Sequence, residues 1–259
     1  MIRVAVAGAT GRMGSEVCRA VAADPDLDLV AAVSRSAAGT ALGEAIGLDG
    51  DAGSVVLVEH LDELLEARPD VLVDFTGPAW APDHVAWAIA NGVHVVVGTT
   101  GFEIDDAWRE APVGVIVAPN FAIGAVLLMR FAEQAARFLP SAEVIELHHE
   151  RKLDAPSGTA LLTARRIASA RDEAAAASTH DEEAPGARGV DVEGVRVHSV
   201  RLPGLVAHEE VVFGGQGQTL TLRHDSTDRT SFMPGVLLAI RSAPDRPGLT
   251  AGLEPLLGL

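Results

Sequence analysis

The stretch Arg3-Val-Ala-Val-Ala-Gly8-Ala-Thr-Gly11-Arg-Met-Gly14 decides the fold. A short apolar strand, Arg3 to Ala7, runs into three glycines spaced by two residues, and a helical pattern follows to about Ala23. Glycines at such a turn let a pyrophosphate approach the backbone, and the helix N-terminus offers N–H donors and the positive end of its dipole. Thr10 stands where G-x-G-x-x-G has its second glycine, so the loop is a variant of that pattern.

Outward from this loop the pattern repeats. Strands are expected at Leu29–Val33, Ser54–Val58, Val71–Phe75, Val93–Val97 and Val113–Ala118, with helices at Leu61–Ala67, Pro82–Asn91 and Glu103–Glu110. Strands alternating with helices through short loops give a parallel, doubly wound sheet. These strands are apolar throughout, as burial on both faces requires. After Asn120 the order changes to a helix at Ile123–Phe138, a strand at Ala142–His148 and a helix from Gly158 to about Ala177. An acidic segment with Pro and Gly, Ser178–Asp191, reads as an exposed loop. Strands follow at Gly194–Leu202, His208–Phe213 and Thr219–His224, the last alternating Leu220 and Leu222 against Thr219 and Thr221. An apolar helix, Phe232–Ile240, returns to the first domain. The expected class is α/β: a Rossmann-type sheet on residues 1–121 plus 232–259, and an α+β domain with a mixed sheet on residues 122–231.

At 259 residues, 48% hydrophobic and 22% charged, the chain can bury a sizeable core. The net charge of −16 argues against nucleic acid and requires that any anionic ligand meet concentrated positive charge. No apolar run approaches a membrane span, and the first strand starting at Ile2 leaves no room for a signal peptide. One cysteine, Cys18, makes no internal disulfide and suits a reducing cytoplasm.

The end of the second strand reads Val33-Ser34-Arg35-Ser36. NAD-preferring sites place an acid there for the ribose hydroxyls, whereas arginine flanked by hydroxyls suits a 2′-phosphate, so NADPH is expected. The loops Gly98-Thr99-Thr100-Gly101 and Ala118-Pro119-Asn120-Phe121 follow two later strands, at the sheet edge where ligands of open α/β folds bind.

A second constellation lies at Glu146-Leu-His148-His149-Glu-Arg151-Lys152-Leu-Asp154-Ala-Pro156-Ser157-Gly158-Thr159-Ala160. Lys152 is the only lysine among twenty basic residues. Arginine keeps its proton, whereas a partly desolvated lysine can give one up. In an extended chain His148 and Lys152 stand about 13 Å apart, so the chain must bend for both to serve one molecule, with Asp154 and Pro156 as suitable loop residues. Ser157 is placed to cap a helix whose Gly158, Thr159 and Ala160 amides form an anion site.

The string His-His-x-x-Lys-x-Asp-Ala-Pro-Ser-Gly-Thr-Ala, with Gly8–Gly14, Gly98–Phe102, Ala118–Phe121 and Asp228–Val236, closely resembles the 4-hydroxy-tetrahydrodipicolinate reductase (dihydrodipicolinate reductase) family over the whole chain, actinobacterial members most of all. The resemblance implies hydride transfer from a reduced nicotinamide to a cyclic dicarboxylate in diaminopimelate and lysine biosynthesis. It implies His148 as acid–base residue, Lys152 as proton donor, and His149, Gly158 and Thr159 as substrate-carboxylate ligands. Gly8, Ala9, Thr10, Gly11, Arg12 and Met13 are then cofactor ligands, with Gly98, Thr99, Thr100, Ala118, Pro119, Asn120 and Phe121. Ser34 and Arg35 join them as the residues that favour NADPH, although many members accept NADH too. The family is typically a homotetramer joined through its substrate domain. Arg151 stands where some relatives have a third histidine.

Two rival readings fail on particular residues. A semialdehyde dehydrogenase needs a nucleophilic cysteine, and Cys18 falls within the first helix. A nucleotide sensor without catalysis has no use for His148 and Lys152 together. Adjacent histidines do not match zinc-ligand spacing, so no metal is expected.

Overall fold

The computed structural model describes residues 1–171 and 186–259, in two compact units: Met1–Phe121 with Phe232–Leu259, and Ala122–Ser231. The first unit begins with β1 (Ile2–Ala7), α1 (Gly14–Ala22), β2 (Leu27–Val33), α2 (Leu42–Ile46) and β3 (Leu57–Val58). It continues with β4 (Val71–Asp74), α3 (Ala81–Ala90), β5 (His94–Val97) and β6 (Gly114–Val117). The chain returns late to add α6 (Met233–Ser242), β12 (Gly248–Ala251) and α7 (Glu254–Leu257). All seven strands are parallel, in the order β12-β6-β5-β4-β1-β2-β3.

The strand order reverses at β1 and β4, so a crevice opens outside their carboxyl ends. Val4 to Ala7 of β1 are fully buried, as double coverage demands. Two glycines set the first turn. Gly8 takes φ 80°, and a Cβ on Gly14 would lie 2.0 Å from the Gly8 carbonyl oxygen. Only glycine at position 14 lets α1 pack this close to the strand.

The second unit contains α4 (Ile123–Ala136), β7 (Ser141–His148), α5 (Gly158–Ala170), β8 (Val190–Val192), β9 (Val195–Arg201), β10 (Ala207–Gly215) and β11 (Gln218–Ser226). Its mixed sheet runs β11-β10-β7-β9-β8, with β7 parallel to β9 and the other pairs antiparallel. A parallel pair needs a crossover, and α5 lies in it. Period-two alternation buries Ala142, Val144 and Glu146 of β7 on one face. That face carries Val144, Val197, Val211 and Phe213, packed with Leu128 and Ala132 of α4 and Ala160, Ala164 and Ile167 of α5. The alanines bring the helices close to the strands.

Several elements depart from the sequence expectation. Ser54 is not in a strand: Asp51–Ser54 forms a 3-10 turn, closed by the Ser54 hydroxyl on the Asp51 carbonyl at 2.6 Å, and β3 keeps two residues. Leu61–Ala67 is a 3-10 helix opened by a His60/Glu63 capping box, and the expected helix at Glu103–Glu110 begins only at Asp106, capped by Asp105. The acidic segment expected as loop ends in β8, whose pairing with β9 supplies a strand that Val-Asp-Val alone does not signal. Residues 172–177 of the expected helix and 178–185 of that loop lie outside the described residues. Strand β12 was also absent from the expected pattern. Among the described residues no helix is long and apolar enough to cross a membrane.

Candidate functional site

In the first unit a cavity of about 750 Å³ opens at the β1/β4 crevice. It gathers Gly8, Thr10, Gly11, Ser34 and Arg35, all expected at a nucleotide site, and its volume is in the range of small-molecule sites. Ser34 is buried, its hydroxyl 2.6 Å from that of Thr10, so it braces the glycine loop from the end of β2. Exposed Arg35 lies with its guanidinium over the Trp80 ring, 3.9 Å from the centroid. A planar cation stacked on indole keeps its charge and loses mobility.

Thr76, Gly77, Trp80 and His84 also line this cavity, and the sequence reading missed them. The available signal was positional: Phe75 to Pro78 follows β4 as the two loops already singled out follow β5 and β6. A single buried carboxylate organises the region. Asp74 Oδ2 lies 2.5 Å from His84 Nδ1, and Oδ1 accepts from the Thr99 hydroxyl at 2.7 Å and the Thr76 amide at 3.2 Å. Burial alone would raise the Asp74 carboxyl, but the bonds from His84, Thr99 and Thr76 outweigh it and hold it below its ordinary value.

The remaining expected nucleotide residues do not line the cavity. Ala9 and Ala118 are buried, Arg12, Thr100 and Pro119 are exposed, and Met13 and Asn120 are half-buried. Gly98 and Phe121 instead meet one of its walls. A Cβ on Gly98 would fall 2.1 Å from the Phe75 ring, and Phe121 tilts against Phe75 with centroids 5.9 Å apart. Thr99 reaches the cavity indirectly, through Asp74.

In the second unit the histidine–lysine stretch is gathered by Glu146, whose side chain is fully buried. His148 Nδ1 lies 2.5 Å from Oε2. Arg201 closes a two-pronged pair, Nη1 to Oε2 and Nη2 to Oε1, each 2.8 Å. The Ser157 amide donates to Oε1 at 3.2 Å. Burial alone would raise the Glu146 carboxyl; the bonds from His148, Arg201 and Ser199 overcome it and hold the pKa at about 2. An ionised Glu146 accepts a proton bond at His148 Nδ1, which leaves Nε2 as the ring atom able to exchange a proton.

The bend comes earlier than Asp154 and Pro156: the Lys152 amide bonds the His149 carbonyl at 3.1 Å, turning the chain directly after β7. Arg201 then holds the loop by its backbone, reaching the Lys152 carbonyl at 3.3 Å and the Asp154 carbonyl at 2.6 Å. Lys152 Nζ sits 2.9 Å from Asp154 Oδ1. Ser157 caps α5 by accepting from the Ala160 amide at 3.2 Å. The amides of Gly158 and Thr159 lie in the first turn, where helix geometry supplies no carbonyl, and nothing lies within 4 Å of where a Gly158 Cβ would stand. A carboxylate can therefore approach that turn. Sequence reasoning missed Arg201 altogether and gave Glu146 no role; an arginine 55 residues away leaves no local pattern. Cys18 is buried in α1, and burial pushes its thiol up to about 12, too high for a nucleophile at neutral pH.

Comparison with known proteins gives a consistent picture. Residues 2–121 match the family described as "Dihydrodipicolinate reductase, N-terminus" and residues 124–257 the family described as "Dihydrodipicolinate reductase, C-terminus". The 4-hydroxy-tetrahydrodipicolinate reductase of Cutibacterium acnes is 52% identical over 269 residues, covering 100% of both chains. That of Nocardia farcinica is 53% identical over 268 residues, covering 100% of this chain and 99% of the other. A dipicolinate-bound dihydrodipicolinate reductase from Paenisporosarcina sp. TG-14 superposes with a TM-score of 0.85 at 42% identity, covering 98% of this chain and 99% of that one.

Removing Arg201 leaves a buried carboxylate without its counter-charge. Arg201→Met is expected to lose about 3–5 kcal/mol in urea unfolding at neutral pH. The Glu146 carboxyl is depressed in the folded state, so its contribution is present above about pH 4.5 and lost as pH falls towards about 2. The acid limb of the variant should be correspondingly flatter. A loss within about 0.5 kcal/mol would show that the pair does not hold the loop.

Proposed function

The chain belongs to the dihydrodipicolinate reductase family, and from that premise we propose which of its residues carry the reaction. The reaction is the reduction of 4-hydroxy-tetrahydrodipicolinate to tetrahydrodipicolinate in diaminopimelate and lysine biosynthesis, with the hydride supplied by a reduced nicotinamide dinucleotide. Per turnover one hydride and one proton are taken up and water is lost from the hydroxylated precursor. The chain's own residues must then bind two carboxylates and deliver a proton.

His148 is the acid–base residue, aligned through Nδ1 by Glu146 so that Nε2 meets the substrate. Lys152 delivers the proton. Its salt bridge to exposed Asp154 is of a kind worth no more than about 1 kcal/mol, so the ammonium can leave it for a dicarboxylate. The Gly158 and Thr159 amides and His149 receive the substrate carboxylates. The observation that carries this reading is the Glu146 carboxylate, which bonds His148 at the end of β7, the amide of the α5 cap Ser157, and Arg201, which in turn holds the loop between them.

The cavity at β1 and β4 fits a dinucleotide: Gly8 and Gly11 admit a pyrophosphate, and Arg35 follows β2 between Ser34 and Ser36, with Glu59, Asp62 and Asp83 elsewhere in the lining. Arg35, steadied on Trp80, binds the 2′-phosphate, with Ser36 at hand and Ser34 holding Thr10 in place. NADPH is therefore preferred. Arg12, Met13, Thr100, Pro119 and Asn120 complete the cofactor site, with Ala9, Gly98, Thr99, Ala118 and Phe121 shaping it. A homotetramer also fits: the sheet face opposite α4 and α5 mixes Ile145, Leu147, Val200 and Val212 with charged pairs such as Arg223 with Glu210. The unpaired Cys18 fits a cytoplasmic enzyme.

Three variants test these assignments. Lys152→Arg keeps the charge and removes the releasable proton, so kcat should fall about 10²-fold or more; near-normal kcat reduces the lysine to charge balance. Gly158→Val fills space that is open in the fold and should weaken pyridine-2,6-dicarboxylate by at least about 10-fold in calorimetry. Unchanged affinity places the anion site elsewhere. For the cofactor, kcat/KM with NADPH should exceed that with NADH by about 10-fold or more. Ser34→Asp with Arg35→Ala should reverse the preference, and equal wild-type values remove the role given to Arg35.

A further inference from the structure

One buried ionisable side chain has no part in the chemistry above. Glu209 of β10 is 5% exposed and stands in register with Glu146 of β7 on one side and His224 of β11 on the other. Ser199 of β9 faces Glu146 from beyond, so Ser199, Glu146, Glu209 and His224 form one row across the sheet. The next row inward is apolar, Val197, Val144, Val211 and Leu222. A carboxyl at the edge of that core must be paired or neutral.

The hydrogen bonds admit either state. The Thr163 hydroxyl of α5 lies 2.5 Å from Glu209 Oε1 and 3.1 Å from the Thr159 carbonyl oxygen. A hydroxyl has one proton, and a carbonyl can only accept. If Thr163 donates to Thr159, the short contact to Glu209 is bonded only when the carboxyl itself carries a proton. The surroundings favour that state. Burial raises the Glu209 carboxyl most, the Thr163 bond lowers it, and the negative charge of Glu146 raises it again, leaving it at about 7.

Arg201 and His148 are committed to Glu146. Burial holds His224 below its ordinary value, aided by His208 and opposed by Asp225, and its ring packs on Gly124 at the start of α4. Further along α4, Arg130 and Glu133 pair with each other at 2.8 Å.

We propose that Glu209 is a protonated positioning residue, whose carboxyl donates to Thr163 so that Thr163 in turn holds the Thr159 carbonyl and fixes the first turn of α5 for the substrate carboxylate. The inference rests on the assignment of Gly158 and Thr159 to that carboxylate. Ionisation of Glu209 turns the Thr163 hydroxyl towards Glu209 and leaves the Thr159 carbonyl with its helical bond alone. It also adds a second buried negative charge beside Glu146, in a unit that must receive a doubly negative ligand. Dicarboxylate affinity therefore falls as Glu209 loses its proton.

The test is calorimetry of pyridine-2,6-dicarboxylate with the full chain from about pH 5.5 to about pH 8.5, for wild type and Glu209→Gln. The amide still donates to Thr163 and never ionises. Wild-type affinity should drop about 10-fold more across the range than that of Glu209→Gln, whose remaining slope belongs to the histidines. Parallel profiles overturn the proposal. A second measurement needs no variant: infrared spectra of the chain with carbon-13-labelled glutamate should contain a protonated carboxyl band that titrates near neutral pH, and its absence overturns the proposal equally. The two assignments fail separately. Tight binding by Gly158→Val discards the anion site, whereas loss of binding there, with an unchanged slope in Glu209→Gln, discards Glu209 alone.

Discussion

A fully buried carboxylate cannot remain unpaired, and the second unit is built around that constraint. Glu146 is satisfied by four groups: His148 two residues on, the Ser157 amide, and Ser199 and Arg201 of β9. Three of these partners fix the local geometry. His148 is oriented, the start of α5 is drawn to the end of β7, and the intervening loop is held by the spare donors of Arg201. The cost of burying the charge is offset only when all of these are in place, so the geometry is all-or-none.

The first unit repeats the device. Asp74, also fully buried at the carboxyl end of a central strand, collects Thr76 from the following loop, Thr99 from the loop after β5 and His84 from α3. Asp74 ends the apolar strand β4, and Glu146 lies two residues before the end of β7, so each acid stands close to where the chain leaves its strand. Carboxylates accept several bonds at once, which suits them to joining segments that lack regular structure.

Much of this was legible in the sequence, for identifiable reasons. The parallel sheet follows from apolar strands alternating with helices, and the cap at Ser157 from a local turn pattern, since both depend on neighbours within a few residues. The His148 to Ala160 string was conspicuous through its single lysine. What escaped was long-range. Arg201 meets Glu146 through the register of two parallel strands, and Trp80 meets Arg35 across a loop, and no local spacing encodes either. Strand β8 is recognisable only by its partner β9. Ser54 and the 3-10 helices were misread because apolar content looks alike in strands, α-helices and tighter turns.

The interrupted sequence of the first unit bears on how the chain is made. Strand β6 is buried at all four positions and takes its outer neighbour, β12, from residues more than a hundred positions later. During synthesis β6 is thus a bare hydrophobic edge for as long as the whole second unit takes to emerge. Exposed edges of this kind template wrong pairing. The outer edge of β6 therefore stays open to wrong pairing until Gly248 to Ala251 close the sheet.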